Sequence, residues 1–294
     1  MIYTLTANPS LDYLLYAESF NAGKINRSRS EKLICGGKGI NVSVMLSRLG
    51  VRNTALGFVG GFVGEEIKRL VRAEGVICGF TEISHNSRIN VKIFSESETA
   101  LNACGPFVSE EEENVLLERL AELGEDDTLV FSGKLAGDSV GFLEKTLSIN
   151  RKPKLVVDME GEDLKKAIEY RPYLIKPNEE ELCALFGTDC MDEEKTAAAA
   201  SKLRREGCEN VLVSRGESGA ILASDDGNIY RIKAPRGKVI STVGAGDSML
   251  AGFLAGISRG AEYALALGTA AGSATAFSED LADSETVCRV LCSM

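Results

Sequence analysis

The segment Ser241-Thr242-Val243-Gly244-Ala245-Gly246-Asp247-Ser248 sets an acid directly behind three small residues, just before the apolar run 249–257. Small residues at 244–246 leave successive backbone N–H groups exposed at a helix N-terminus, where the helix dipole favours negative charge. Asp247 falls in the first helical turn. Asp is a favoured cap there, yet capping alone would not require three small residues ahead of it. The chemistry on offer is removal of a hydroxyl proton by Asp247, while the amides of Gly244, Ala245 and Gly246 stabilise a transferring phosphoryl group.

Four other segments carry weaker signals. Cys35-Gly36-Gly37-Lys38-Gly39-Ile40-Asn41 leads straight into a helical pattern ending at Leu49. It lacks the Gly-x4-Gly-Lys-Ser/Thr spacing of a P-loop, and either a structural turn or an anion-binding helix start fits it. In Lys176-Pro177-Asn178-Glu179-Glu180-Glu181, Asn178 and Glu181 are three apart and face the same way. That suits a water-coordinated Mg²⁺, though an acidic first turn complementing the helix dipole is the simpler reading. Ser214-Arg215-Gly216-Glu217-Ser218-Gly219 is a nucleotide-contacting turn or a plain hairpin turn. Arg88, Asn90 and Lys92 share one strand face, as a solvated edge that discourages aggregation or as a phosphate grip.

Short β-rich runs alternating with amphipathic stretches must position these groups. Strands are predicted over 2–6, 54–59, 128–132, 154–158, 173–175, 210–213 and 219–223. Helices are predicted over 40–49, 64–74, 109–123, 138–149, 162–169, 178–186, 192–206, 246–258 and 261–276. The continuous apolar runs 155–157 and 211–213 suit strands covered on both faces, and the alternation predicts a parallel α/β sheet with helices on each side. Residues 12–35 and 86–104 instead alternate with a period of two. They read either as surface hairpins or as a small β-layer covering a site.

Composition narrows the chemistry. The 294 residues carry 33 Lys plus Arg against 43 Asp plus Glu, a formal charge of −10, which argues against nonspecific nucleic-acid binding. With one histidine, His85, Ser-His-Asp catalysis, His-ligated metals and a His base are nearly excluded. Eight cysteines without framework spacing, including Cys288 and Cys292 on one helical face, read as free thiols in a reducing cytoplasm. Residues 1–6 read as a first strand rather than a leader, and 249–257 is too short to span a membrane, so no membrane partner is expected.

GGKGINVS (36–43), STVGAGDS (241–248), KPNxxE (176–181) and SxGxxG (214–219) occur in an order and spacing that resembles the ribokinase-like, PfkB-type sugar kinases, over essentially the whole chain. TLTANPSLD (4–12) and RINVK (88–92) resemble the hexose-phosphate branch. The resemblance implies one kinase domain over 1–294: a three-layer α/β sandwich with a mostly parallel central sheet and a β-sheet lid at about 12–35 and 86–104. It implies ATP and Mg²⁺ as cofactors, and a lid that closes either within one subunit or across a homodimer. By position, Asp247 matches the catalytic base and Gly244, Ala245 and Gly246 the anion hole. Asp12, Gly36, Gly37, Lys38, Asn41 and Asn90 match the sugar site, and Lys24 and Arg88 bind the substrate's existing phosphate. Lys176, Asn178, Ser214, Gly216, Gly219 and Thr242 match nucleotide positions, and Glu181 organises Mg²⁺ through water.

The implied reaction is in-line transfer of the ATP γ-phosphoryl group to D-fructose 1-phosphate, giving fructose 1,6-bisphosphate. Tagatose 6-phosphate or fructose 6-phosphate is the alternative substrate, and a noncatalytic sugar-phosphate sensor is the alternative of another class. The chain departs from the family at Lys134, where the usual loop is Ser-Gly-Ser-Leu-Pro-Pro-Gly. Lys134 adds a contact to the substrate phosphate or points into solvent. Arg215 stands where leucine is common, at the expected nucleotide edge.

Overall fold

A computed structural model of the chain describes residues 1–133, 139–188 and 192–294. The strands are β1 (Ile2–Thr6), β2 (Ser10–Tyr16), β3 (Ser30–Gly36), β4 (Asn53–Val59), β5 (Ile77–Cys78), β6 (Thr81–Glu82), β7 (Arg88–Phe94), β8 (Glu98–Leu101), β9 (Thr128–Ser132), β10 (Lys154–Asp158), β11 (Leu174–Ile175), β12 (Asn210–Ser214), β13 (Ala220–Ala223) and β14 (Ile229–Ile232). The helices are α1 (Lys38–Arg48), α2 (Gly61–Ala73), α3 (Glu110–Ala121), α4 (Ser139–Ile149), α5 (Gly161–Ile168), α6 (Glu179–Phe186), α7 (Glu193–Arg205), α8 (Ala245–Gly256), α9 (Ala261–Ala276) and α10 (Ser284–Cys292).

The large sheet runs β14-β13-β12-β11-β10-β9-β1-β4-β5, with β6 beside β4. It is parallel from β5 to β12 and antiparallel through β13 and β14. Its central strands are apolar on both sides because both faces are covered. Leu129 and Phe131 enter a core shared with α3 to α7, and Val130 enters one shared with α1, α8 and α9. The apolar runs read from the sequence are thus a two-sided core. Strand β14 and helix α10 escape that reading: each is short, and only Val287 of α10 is buried.

The period-two segments form a separate sheet, β3-β2-β7-β8. It begins at Ser10 rather than residue 12. Leu11 on one face joins a core with α1 and α2, while Asp12, Asn90 and Lys92 on the other face line a cavity of about 1140 Å³. The small layer therefore roofs a cleft and is not a pair of surface hairpins. None of the described helices is long and apolar enough to cross a membrane.

Candidate active site

The floor of the cavity follows from the parallel register. Thr6, Ser132, Asp158 and Ser214 end β1, β9, β10 and β12, and Lys176 follows β11, so all five reach the same edge of the sheet and line the cleft. The chain leaves β1 toward β4 on one side, while β9 lies on the other. Ligands of open α/β sheets bind at such switch points, beyond the carboxyl ends of the strands.

Two helix N-termini open onto the same space. Helix α8 starts after Gly244, whose φ of 76° is left-handed and suits glycine. Among the described residues, the amides of Gly244, Gly246 and Asp247 donate to no protein acceptor. Ala245 differs from the expectation. Its N–H donates to Thr242 O at 3.2 Å, so the open donors are those of its neighbours and of Asp247 itself. Helix α8 is held by close packing on α9: a Cβ added to Gly272 would lie 2.9 Å from Ala245 O. Helix α1 starts after Gly37, where a φ of 128° lets the chain turn past Thr6, and brings Lys38 and Asn41 to the cleft.

Asp247 is buried. Asn41 Nδ2 donates to its Oδ2 at 2.7 Å, linking α1 to α8. Burial, and then the nearby Asp158, push the Asp247 carboxyl up to about 6, against the pull of Asn41, Lys176 and Lys38. Asp158 did not stand out in the sequence, although a carboxylate closing the apolar run 155–157 was the available signal. Its side chain is only 2% exposed and lies 3.3 Å from Lys176 Nζ and 3.7 Å from Lys38 Nζ, with no hydrogen bond to either oxygen. Burial opposes the charge on Lys38, but Asp158, Asp247, Glu181 and Glu160 hold its pKa above the ordinary value. Lys176 also reaches the open amides: its Nζ would lie 3.3 Å from a Cβ on Gly246.

The roof carries the opposite end. Ser10 Oγ and Asn90 Nδ2 donate to Asp12 Oδ1 at 2.7 and 2.8 Å, and Lys92 Nζ lies 2.8 Å from Asp12 Oδ2. Gly36 backs this cluster, since a Cβ there would strike Asp12 and Ser10. Asn90 Oδ1 accepts from Ala103 N at 3.2 Å, so Asn90 anchors Asp12 and the loop behind it. Arg88 donates only to the carbonyls of Ala103 and Asn8, and its buried Nε has no partner. Burial lowers its pKa from the ordinary value, with Asp12 opposing. A guanidinium pairs best with a bidentate oxyanion, and none of the described carboxylates takes this one.

Asn178 caps α6, accepting from Glu181 N at 2.7 Å, while Glu181 Oε2 accepts from Asn178 N at 2.9 Å. This capping box was the bland reading of the acidic turn; both residues nevertheless line the cleft, as does Ser214. Besides Ala245, four expected site residues do not. Lys24 sits exposed in the loop between β2 and β3. Thr242 is exposed and contributes its carbonyl to the turn before α8. Gly216 and Gly219 form the turn before β13, where Gly219, with φ 94°, passes too close to Ile232 O for any side chain. Lys134 lies outside the described residues. Arg215 is a clamp, with Nε 2.7 Å from Glu179 and Nη1 3.0 Å from Glu193, tying the turn to α6 and α7.

Fold and site together define a phosphotransferase acting on a sugar hydroxyl, built on the ribokinase-like α/β fold. The chain belongs to the pfkB family of carbohydrate kinases, whose family model matches residues 6–287. It is 42% identical to 1-phosphofructokinase of Bacillus subtilis (strain 168), over 99% of this chain and 97% of that protein. It is 37% identical to the D-tagatose-1-phosphate kinase of Bacillus licheniformis, over 96% and 95% of the two chains. The crystal structure of phosphofructokinase-2 from Escherichia coli in complex with substrates and products superposes with a TM-score of 0.92 at 28% identity, covering 99% of this chain and 98% of that one.

Proposed function

We propose that the protein phosphorylates D-fructose 1-phosphate on its 6-hydroxyl, using ATP and Mg²⁺, to give fructose 1,6-bisphosphate and ADP. The observation that carries this reading is the pairing of a buried acid, Asp247, with the open amides at the start of α8. Asp247 takes the hydroxyl proton as the 6-oxygen forms its bond to the γ-phosphorus. The bond from that phosphorus to the β,γ-bridging oxygen breaks and ADP leaves. The amides of Gly244, Gly246 and Asp247, with Lys176, meet the charge that builds on the transferring group.

Arg88, lacking a carboxylate partner, suits the 1-phosphate, and Asp12 suits a ring hydroxyl. Asn178 and Ser214 suit the nucleotide. Asp158, with two buried oxygens lacking hydrogen-bond partners, and Glu181, with one oxygen not used in its cap, fit a hydrated Mg²⁺. When bound, that ion neutralises phosphate charge.

The lid has two open edges, β3 and β8, and exposes Tyr16, Leu33 and Leu101. This supports a homodimer through the lid. The free cysteines support a reducing, cytoplasmic setting.

An assay coupling ADP release to fructose 1-phosphate, fructose 6-phosphate, tagatose 1-phosphate, tagatose 6-phosphate and fructose should give the highest kcat/KM with fructose 1-phosphate. A higher value with either 6-phosphate would overturn the substrate, and saturable binding without ADP release would favour a sensor.

The acid side of the pH profile is also set. Asp247 works deprotonated, so kcat/KM should fall as pH drops through about 6. Asp158→Asn removes a neighbouring negative charge, eases ionisation of Asp247 and should move that limb to lower pH. A limb that stays in place would contradict the coupling of the two acids.

A further inference from the structure

Lys92 sits on the roof of the cleft on β7, two residues beyond Asn90 and four beyond Arg88, on the same strand face. Across the pair it lies opposite Leu14 of β2, one step along the face from Asp12. Its Nζ lies 2.8 Å from Asp12 Oδ2, and its side chain is 19% exposed and faces the cleft. An ammonium has three donors, and the contact with Asp12 uses one.

Asp12 is nearly saturated as well. Oδ1 accepts from Ser10 and Asn90, while Oδ2 has Lys92 and a lone pair to spare. The cleft therefore presents an acceptor and a charged donor side by side on its roof, Asp12 one rung and Lys92 two rungs along the lid from Arg88. In a phosphoketose held by its 1-phosphate at Arg88 and by its reacting carbon at Asp247, the two adjacent ring hydroxyls, at C3 and C4, lie between the held groups.

We infer that Lys92 is a specificity-determining residue, acting with Asp12 to read the relative configuration of the C3 and C4 hydroxyls; this rests on the proposed assignment to a ketohexose 1-phosphate. One hydroxyl donates to Asp12 Oδ2 and its neighbour accepts from Lys92 Nζ. The two hydroxyls are trans in the furanose ring of fructose and cis in that of tagatose. Inverting C4 carries one hydroxyl to the opposite ring face, so the pair engages both hydroxyls of only one epimer. With the phosphate and the reacting carbon held at either end, the ring cannot turn to compensate. A polar group left unpaired in a desolvated site discriminates strongly.

The test compares kcat/KM for D-fructose 1-phosphate and D-tagatose 1-phosphate in the wild type and in Lys92→Met. The wild type should favour the fructose epimer. Lys92→Met should reduce that preference at least about tenfold, with the loss borne by KM for fructose 1-phosphate and the KM for ATP unchanged. Lys92→Arg, which keeps a charged donor beside Asp12, should retain part of the preference. Lys92→Gln serves the same purpose should the Met variant not fold. An equal loss for both epimers would reveal a purely structural role and overturn the inference, as would an unchanged preference. A wild type that phosphorylates neither epimer overturns the functional assignment and this inference together, before any variant is made.

Discussion

Asp247→Asn should lower kcat by about 10²–10⁴-fold, the range of a lost general base, while leaving the fold and ATP binding in place. The two side chains have nearly the same shape, and an amide oxygen at that position can still accept from Asn41 Nδ2, which now donates to Asp247 at 2.7 Å. Only the basicity disappears. The stability change should be opposite in sign to the activity change. Asp247 is a buried carboxylate whose ionisation is opposed by burial and by Asp158, so a neutral amide removes an unfavourable interaction from the folded state. The expected result is a melting temperature equal to or above that of the wild type, with turnover nearly abolished. Turnover within about threefold of wild type would remove the base mechanism, whatever the melting curve showed.

Arg88→Ala should raise KM for the sugar phosphate by about 10–100-fold, equivalent to about 1.5–3 kcal/mol for a hydrogen bond to a charged group. The KM for ATP should stay within about twofold, because Arg88 belongs to the lid sheet, whereas Asn178 and Ser214 stand at the ends of large-sheet elements. The reason lies in how the cations of the cleft are partnered. Lys92 faces Asp12, and Lys38 and Lys176 share Asp158. Arg88 is half-buried and touches only carbonyl oxygens. Its desolvation is therefore only partly offset, by those carbonyls and by Asp12, until an anion arrives. The variant should melt near the wild-type temperature without ligand, yet lose the stabilisation that fructose 1-phosphate confers, about 2.7 kcal/mol at a hundredfold excess over Kd. An equal loss for both substrates would place the phosphate grip elsewhere.

The two variants bracket a general feature of this cleft. Asp158 carries two buried oxygens without hydrogen bonds, Arg88 an unpartnered Nε, and α8 three open amides. The start of α3, by contrast, is satisfied locally by the capping box of Ser109 and Glu112, although Asn53, Thr81, Thr146 and Thr269, away from the cleft, also carry buried side-chain oxygens without partners. Unpaired polar groups gathered in one place cost stability, and they coincide here with the groups assigned to phosphate, metal and reacting hydroxyl.

Most of the secondary structure was legible in the amino-acid order. Two-sided apolar runs marked the buried strands, a period of two marked the lid, and small residues ahead of an acid marked the start of α8. These are local signals, set by how side chains project from a helix or strand. The glycine motif at 36–39 was legible as a place of close approach, but its neighbours prove to be Asp12, Ser10 and Thr6 of the protein itself. Arg215 looked like an edge residue of a nucleotide site because nothing in the sequence brings Glu179 and Glu193 to it.

What the sequence determined by itself was most of the inventory of elements and the acid at 247 behind small residues at a helix start, because each depends on neighbours within one helical turn. Only the tertiary structure decided who stands opposite whom. Asp158 meets Asp247 across 89 positions of sequence because β10 ends and α8 begins at the same edge of the cleft. Lys92 meets Asp12 because β7 pairs in parallel with β2 in one register, and a shift of one residue would have turned it to the other face of the lid. Strand order and register are properties of the whole packed chain, which is why the pairings that tune and select were hidden until it folded.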